Sequence, residues 1–135
     1  MPSLRHKARE YALQMLFEWD MARQEPKRIE QLFWKSAHAA DATRRFADQL
    51  FEGAVARAAA SDQLIAKLVE NWRLDRLAAL DRNILRLAIS EFQSGTAPPK
   101  VVIDEAIELA KKFSSAEAPA FLNGVLDAAI ENIEG

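Results

Sequence analysis

The chain has 135 residues, half of them hydrophobic, with a formal net charge of −2 and no cysteine. That length predicts one domain, residues 1–135, with a core large enough to stand without staples. The missing cysteines exclude disulfides and thiolate metal sites and fit a reducing cytoplasm, and no apolar run approaches the ~18 residues of a membrane span.

Helical periodicity runs through the whole sequence, and no window alternates as a strand would. A first helix is expected from about Ser3 to Arg23. At 100° per residue, Leu4, Ala8, Tyr11, Ala12, Met15, Leu16 and Trp19 fall in one arc, the core face. On the opposite side lie His6, Glu10, Leu13, Phe17 and Met21. The i, i+4, i+8 strip of Leu13, Phe17 and Met21 is either covered by another helix of the domain or left as a docking strip for a protein partner. A free strip would also allow homodimerisation.

Arg5, His6, Lys7 and Arg9 crowd the first turns of this helix, with no apolar stretch of the kind a secretory signal needs. The helix dipole disfavours cations there by a few tenths of a kcal/mol, roughly. Either the cluster is a solvated helix end, or it meets an anion such as phosphate, which the free N–H groups would also favour. The charge balance is uneven. Residues 1–45 hold nine Lys/Arg against six Asp/Glu, and residues 46–135 hold nine against fourteen.

Pro26 suits the first turn of a second helix with Ile29, Leu32 and Phe33 on its apolar stripe. Asp41 is a candidate N-cap for a third helix carrying Phe46, Leu50 and Ala54, and Ser61 for a fourth with Leu64, Ile65, Leu68, Val69 and Trp72. A break near Asp81, itself a good N-cap, within "WRLDRLAALDRNILRLAISEF" avoids placing a carboxylate in the arc of Leu77, Leu80, Ile84 and Ala88. "SGTAPP" reads as a loop. A helix from about Lys100 follows, and a last one opens at Pro119 and runs to about Ile133. The expected fold is all-α, with six or seven helices.

Catalytic chemistry finds no support. His6 and His38 lie in different helices without metal-ligand spacing, and no nucleophile elbow or phosphate loop occurs. Asp104, Glu105 and Glu108 read as a solvated face, with Glu108 in reach of Lys112 at i,i+4. The chain is therefore read as a binding protein, not an enzyme, with no metal and no cofactor. "AFLNGVLDAAI" keeps helical spacing across an Asn-Gly pair that elsewhere signals a hairpin. A mid-helix glycine costs about 1 kcal/mol against alanine. Gly124 therefore marks either a close helix crossing or the approach of a ligand backbone. Phe121 either stacks a base or completes the core.

"RHKAREYALQMLFEW", "LDRNILRLAISEF", "PPKVVIDEAIELAKKF" and "FLNGVLD" resemble, in order and spacing, segments of the NusB family of bacterial transcription antitermination factors. The resemblance runs from about Leu4 to Asp127. It implies two small packed helical bundles and binding of single-stranded boxA RNA of ribosomal RNA leaders together with a small-subunit ribosomal protein, NusE. Other Nus factors and RNA polymerase are implied indirectly, and no membrane. It makes Arg5, His6, Lys7 and Arg9 candidate RNA contacts, joined by Phe121, Asn123 and Gly124 of the C-terminal signature. Phe17, with Leu13 beside it, and Asp81 become candidates for the protein-partner interface. A protein–protein scaffold that does not touch RNA is the alternative. A helix-turn-helix DNA binder lacks its basic recognition helix.

Overall fold

The computed structural model describes residues 3–69 and 77–134. Among the described residues there are seven helices and no strand: α1 Leu4–Ala22, α2 Pro26–Ser36, α3 Asp41–Ala56, α4 Ala58–Leu68, α5 Ala79–Ser94, α6 Pro99–Phe113 and α7 Ala118–Glu134. None is long and apolar enough to cross a membrane. Trp72 lies outside the described residues.

Local chemistry explains the boundaries. Ser3 caps α1, its Oγ accepting from the N–H of His6 at 3.1 Å, which satisfies one of the free donors of the first turn. Pro26 and Pro99 each stand in the first turn of their helix, where the missing N–H costs nothing. Gly95 ends α5 in the left-handed region, at φ 69°, where a side chain would be strained. Three expected caps move. Asp41 is the first helical residue behind Ala40, Ser61 is buried inside α4, and Asp81 is inside α5 behind Ala78.

Helices α1, α2 and α3 form one bundle and α4 to α7 the other, with α5 packed on α1, α3, α4, α6 and α7. Enclosed by five helices, α5 is buried without interruption from Asn83 to Glu91. Ile84, Leu85, Leu87, Ala88 and Ile89 fill the core on its several sides. Its polar residues then need partners, since an unpaired buried charge is costly. Arg86 reaches both oxygens of Asp62 on α4 at 2.8 Å and Asp20 on α1 at 3.1 Å. Asp20 also accepts from Arg82 at 2.6 Å and Asn83 at 3.2 Å. Burial opposes the ionisation of Asp20, but the bonds and charges of the two arginines outweigh it and hold the carboxyl at about 2. Ser90 accepts from Arg57 at 2.9 Å. Ion pairs thus tie α1 and α4 to the central helix, and a hydrogen bond ties Arg57, between α3 and α4.

The first helix is buried on two sides, by α3 and α5, which redraws its faces. Leu13 is 1% exposed and belongs to the core, so it is no docking residue; Phe17 is half-buried and Met21 is 57% exposed. Leu4, expected in the core arc, is 60% exposed because it precedes the packed part of the helix.

Candidate nucleic-acid interface

The four residues of the N-terminal cluster have different fates. Arg5 is exposed; its guanidinium donates to the carbonyl of Thr96 at 2.8 Å and lies 4.7 Å from the ring centre of Phe46. Lys7 is exposed over the Tyr11 ring at 5.7 Å and reaches Glu10 at 3.4 Å. His6 is wedged between two carboxylates, Nδ1 at 2.6 Å from Glu105 and Nε2 at 3.1 Å from Glu10. Arg9 is only 2% exposed. It grips Glu91 of α5 through two bonds of 2.9 and 2.8 Å, and Thr96 completes the carboxylate at 2.7 Å. Its guanidinium is consumed inside the protein, which corrects its expected place among surface phosphate contacts. The cause is geometric: Arg9 projects between α1 and α5, where only a buried acid can satisfy it.

Buried Glu10 organises the cluster. Burial opposes its ionisation, and the hydrogen bond from Lys112 with the charge of Lys7 outweighs this and keeps the carboxyl below its usual range. Lys112 of α6 reaches Glu10 at 2.9 Å. Glu108 pairs instead with Lys111 at 3.6 Å, and Glu105 with His6, so the acids of α6 are only partly a solvated face. Lys112 therefore joins Arg5 and Lys7 as a third outward-facing cation. The sequence marked it only as a neighbour of Glu108, because its partner Glu10 lies 102 positions away.

The last turn of α6 leads from this cluster to a groove. Ser114 donates to Asp81 at 2.5 Å, fixing the first turn of α5 to the α6–α7 connection. Leu77, Ala78, Asp81, Ser115, Ala118 and Phe121 line a mainly apolar depression of about 330 Å³ beside it. Asp81, 8% exposed, and Phe121, singled out for different partners, thus line one depression. Phe121 is half-buried and packs against the core, while Asn123 and Gly124 are exposed on α7. A Cβ built at Gly124 meets nothing within 4 Å, so no helix crosses closely there.

This geometry has known counterparts. The NusB family model matches residues 6–131. The transcription antitermination protein NusB of Koribacter versatilis is 46% identical over 132 residues, covering 96% of this chain and 90% of its own length. That of Sorangium cellulosum is 42% identical, over 96% of this chain and 93% of its own. Among solved structures, T. maritima NusB is similar with a TM-score of 0.84 at 30% identity, over 97% of this chain and 93% of that one. A chain from a complex of the antitermination factors NusB and NusE with dsRNA gives 0.85 at 29% identity, over 98% and 99%.

A two-bundle, all-α transcription antitermination factor, and not an enzyme, is the class these matches define. With the family matched across almost its whole length, the chain belongs to the NusB family.

Proposed function

We propose that the chain is a single domain, residues 1–135, that binds single-stranded boxA-like RNA of ribosomal RNA leaders jointly with the ribosomal protein NusE, and that the pair joins other Nus factors on RNA polymerase. The observation carrying this reading is the placement of Lys7 and Lys112 on the buried carboxylate of Glu10, with Arg5 exposed on the same first turns of α1. Ion pairs to Glu10 hold Lys7 and Lys112 outward, and a hydrogen bond to the Thr96 carbonyl holds Arg5, so that a phosphate backbone crossing the start of α1 can collect them. His6 sets the spacing between α1 and α6, and Arg9 anchors the helix that carries the arm. Phe121 offers a face for a base, and the open space over Gly124 admits a ligand backbone beside Asn123. Phe17 and Asp81 belong to the NusE surface, an apolar anchor and an acid suited to a basic ribosomal protein. The relative solved with NusE and dsRNA supports the pairing of these partners.

The test is calorimetry of the chain with NusE, followed by titration of boxA-like RNA into each protein and into the pair. The pair is expected to bind RNA more tightly than either alone. Asp81→Asn, which keeps an acceptor for Ser114, is expected to weaken the heterodimer without moving the melting temperature. Formation of the heterodimer with no gain in RNA affinity would favour the RNA-free scaffold instead.

A further inference from the structure

The arm does not account for the chain's basic front. Residues 1–25 hold four Lys/Arg and four Asp/Glu, so they are neutral; residues 26–45 hold five against two. The whole excess of the first 45 residues therefore sits on α2 and the start of α3. Four of those five cations, Arg28, Lys35, Arg44 and Arg45, are exposed and make no ion pair among the described residues. By contrast, Arg9, Arg23, Arg82 and Arg86 are each matched to a carboxylate. Arg44 feels the charge of Asp48, but the face keeps an excess of cations, which repel one another unless an anion arrives.

These cations frame a depression. Arg28, Gln31, Leu32, Trp34, Lys35 and Arg44 enclose about 500 Å³. Trp34 is half-buried, held by its indole N–H donating to Asp48 at 2.8 Å and by edge contacts with Tyr11 and Phe33. The Arg44 guanidinium stands 5.2 Å from its ring centre. A chain of side-chain contacts also links the depression to the arm. Lys7 lies 5.7 Å from the Tyr11 ring, Tyr11 lies 5.4 Å from Trp34, and Trp34 carries Arg44.

We infer that this α2–α3 face is a second stretch of the RNA path, binding the phosphates of nucleotides that flank the segment held by the arm, with Trp34 and the arginines as stacking surfaces. The inference rests on the RNA-binding reading above and extends it. Cations beside an aromatic in an open depression suit a single strand, whose bases and phosphates alternate. The nearness of Lys7, one ring away from Trp34, lets one strand cover both stretches.

The experiment compares a short boxA-like RNA of about 12 nucleotides with the same RNA extended at both ends by unstructured sequence. Wild type and the variant Arg28→Ala/Lys35→Ala/Arg44→Ala are titrated by fluorescence anisotropy at two salt concentrations, with circular dichroism confirming equal melting. The wild type is expected to bind the extended RNA at least about tenfold more tightly, and the variant to lose that gain while binding the short RNA unchanged. Its salt slope on the extended RNA is expected to fall by about 2, three contacts at roughly 0.7 each. Conservative Arg28→Lys/Arg44→Lys is expected to keep most of the gain. Equal binding of the extended RNA by variant and wild type overturns the inference, as does equal loss on both RNAs. A variant that fails only to bind NusE shows a protein surface instead, and also overturns it. If wild type binds neither RNA, with or without NusE, the RNA-binding reading itself fails.

Discussion

Replacing Arg9 by alanine separates an anchor from a phosphate contact. The substitution removes both bonds to Glu91 and leaves a carboxylate that is 2% exposed, with the Thr96 hydroxyl as its remaining partner. Stripping one partner from a buried pair costs about 3–5 kcal/mol. With a urea m-value of about 2 kcal/mol/M, the midpoint of unfolding falls by about 2 M. Glu91→Ala is expected to cost a similar amount. The double variant Arg9→Met/Glu91→Leu removes both charges and keeps the volume, so it recovers most of the loss. The assay is urea unfolding followed by circular dichroism, paired with RNA titration of the double variant. Melting of Arg9→Ala within about 0.5 kcal/mol of wild type would refute the anchoring argument. So would a stable double variant that loses RNA as completely as one lacking Arg5 and Lys7.

Three further outcomes follow from the same physics. Burial, the bond shared with Glu52 and the charge of Asp48 push the Glu30 carboxyl up to about 8. A raised carboxyl favours the folded state below its ordinary value of 4.5, and that contribution is lost as pH rises through about 8. Glu30→Gln, always neutral, is therefore expected to melt higher than wild type by an amount that grows from pH 5 to pH 9, reaching about 2 kcal/mol; a constant offset would contradict this. Asp20 has the opposite sign: its depressed carboxyl contributes stability above 3.8 that is lost as pH falls through about 2. Asp20→Asn is expected to cost about 2 kcal/mol at pH 7 and to flatten the acid limb of the stability curve. Gly124→Ala meets open space and should raise stability by about 0.5–1 kcal/mol in thermal melts while weakening RNA binding; stabilisation with unchanged affinity removes Gly124 from the site.

The helices were legible because their signals are local. Periodic apolar residues, Pro26 and Pro99 at helix starts and Gly95 at a helix end each act within a turn or two. The caps were less so. Asp41, Ser61 and Asp81 have the right chemistry, but the caps of α3, α4 and α5 lie one, four and three residues earlier, at Ala40, Arg57 and Ala78. There packing sets the boundary ahead of capping preference. Long-range pairing was not legible at all. No pattern joins Arg9 to Glu91 or Lys112 to Glu10, and those two contacts decide which cations of the arm stay outside. Leu13 likewise repeats with Phe17 and Met21 on the helical wheel, yet only the placement of α3 and α5 against α1 buries it. Family resemblance supplied the candidate residues, while the division between buried and exposed ones needed coordinates.

The central claim is that Arg5, Lys7 and Lys112 collect RNA phosphate. The most direct test is fluorescence anisotropy of boxA-like RNA with the chain and NusE across a salt series, comparing wild type with Arg5→Ala/Lys7→Ala. Three contacts at roughly 0.7 each predict a slope of about −2 for log K against log salt in the wild type, shrinking by more than half in the variant, with weaker binding throughout. Equal slopes and equal affinities would place the RNA elsewhere and leave the cluster a solvated helix end.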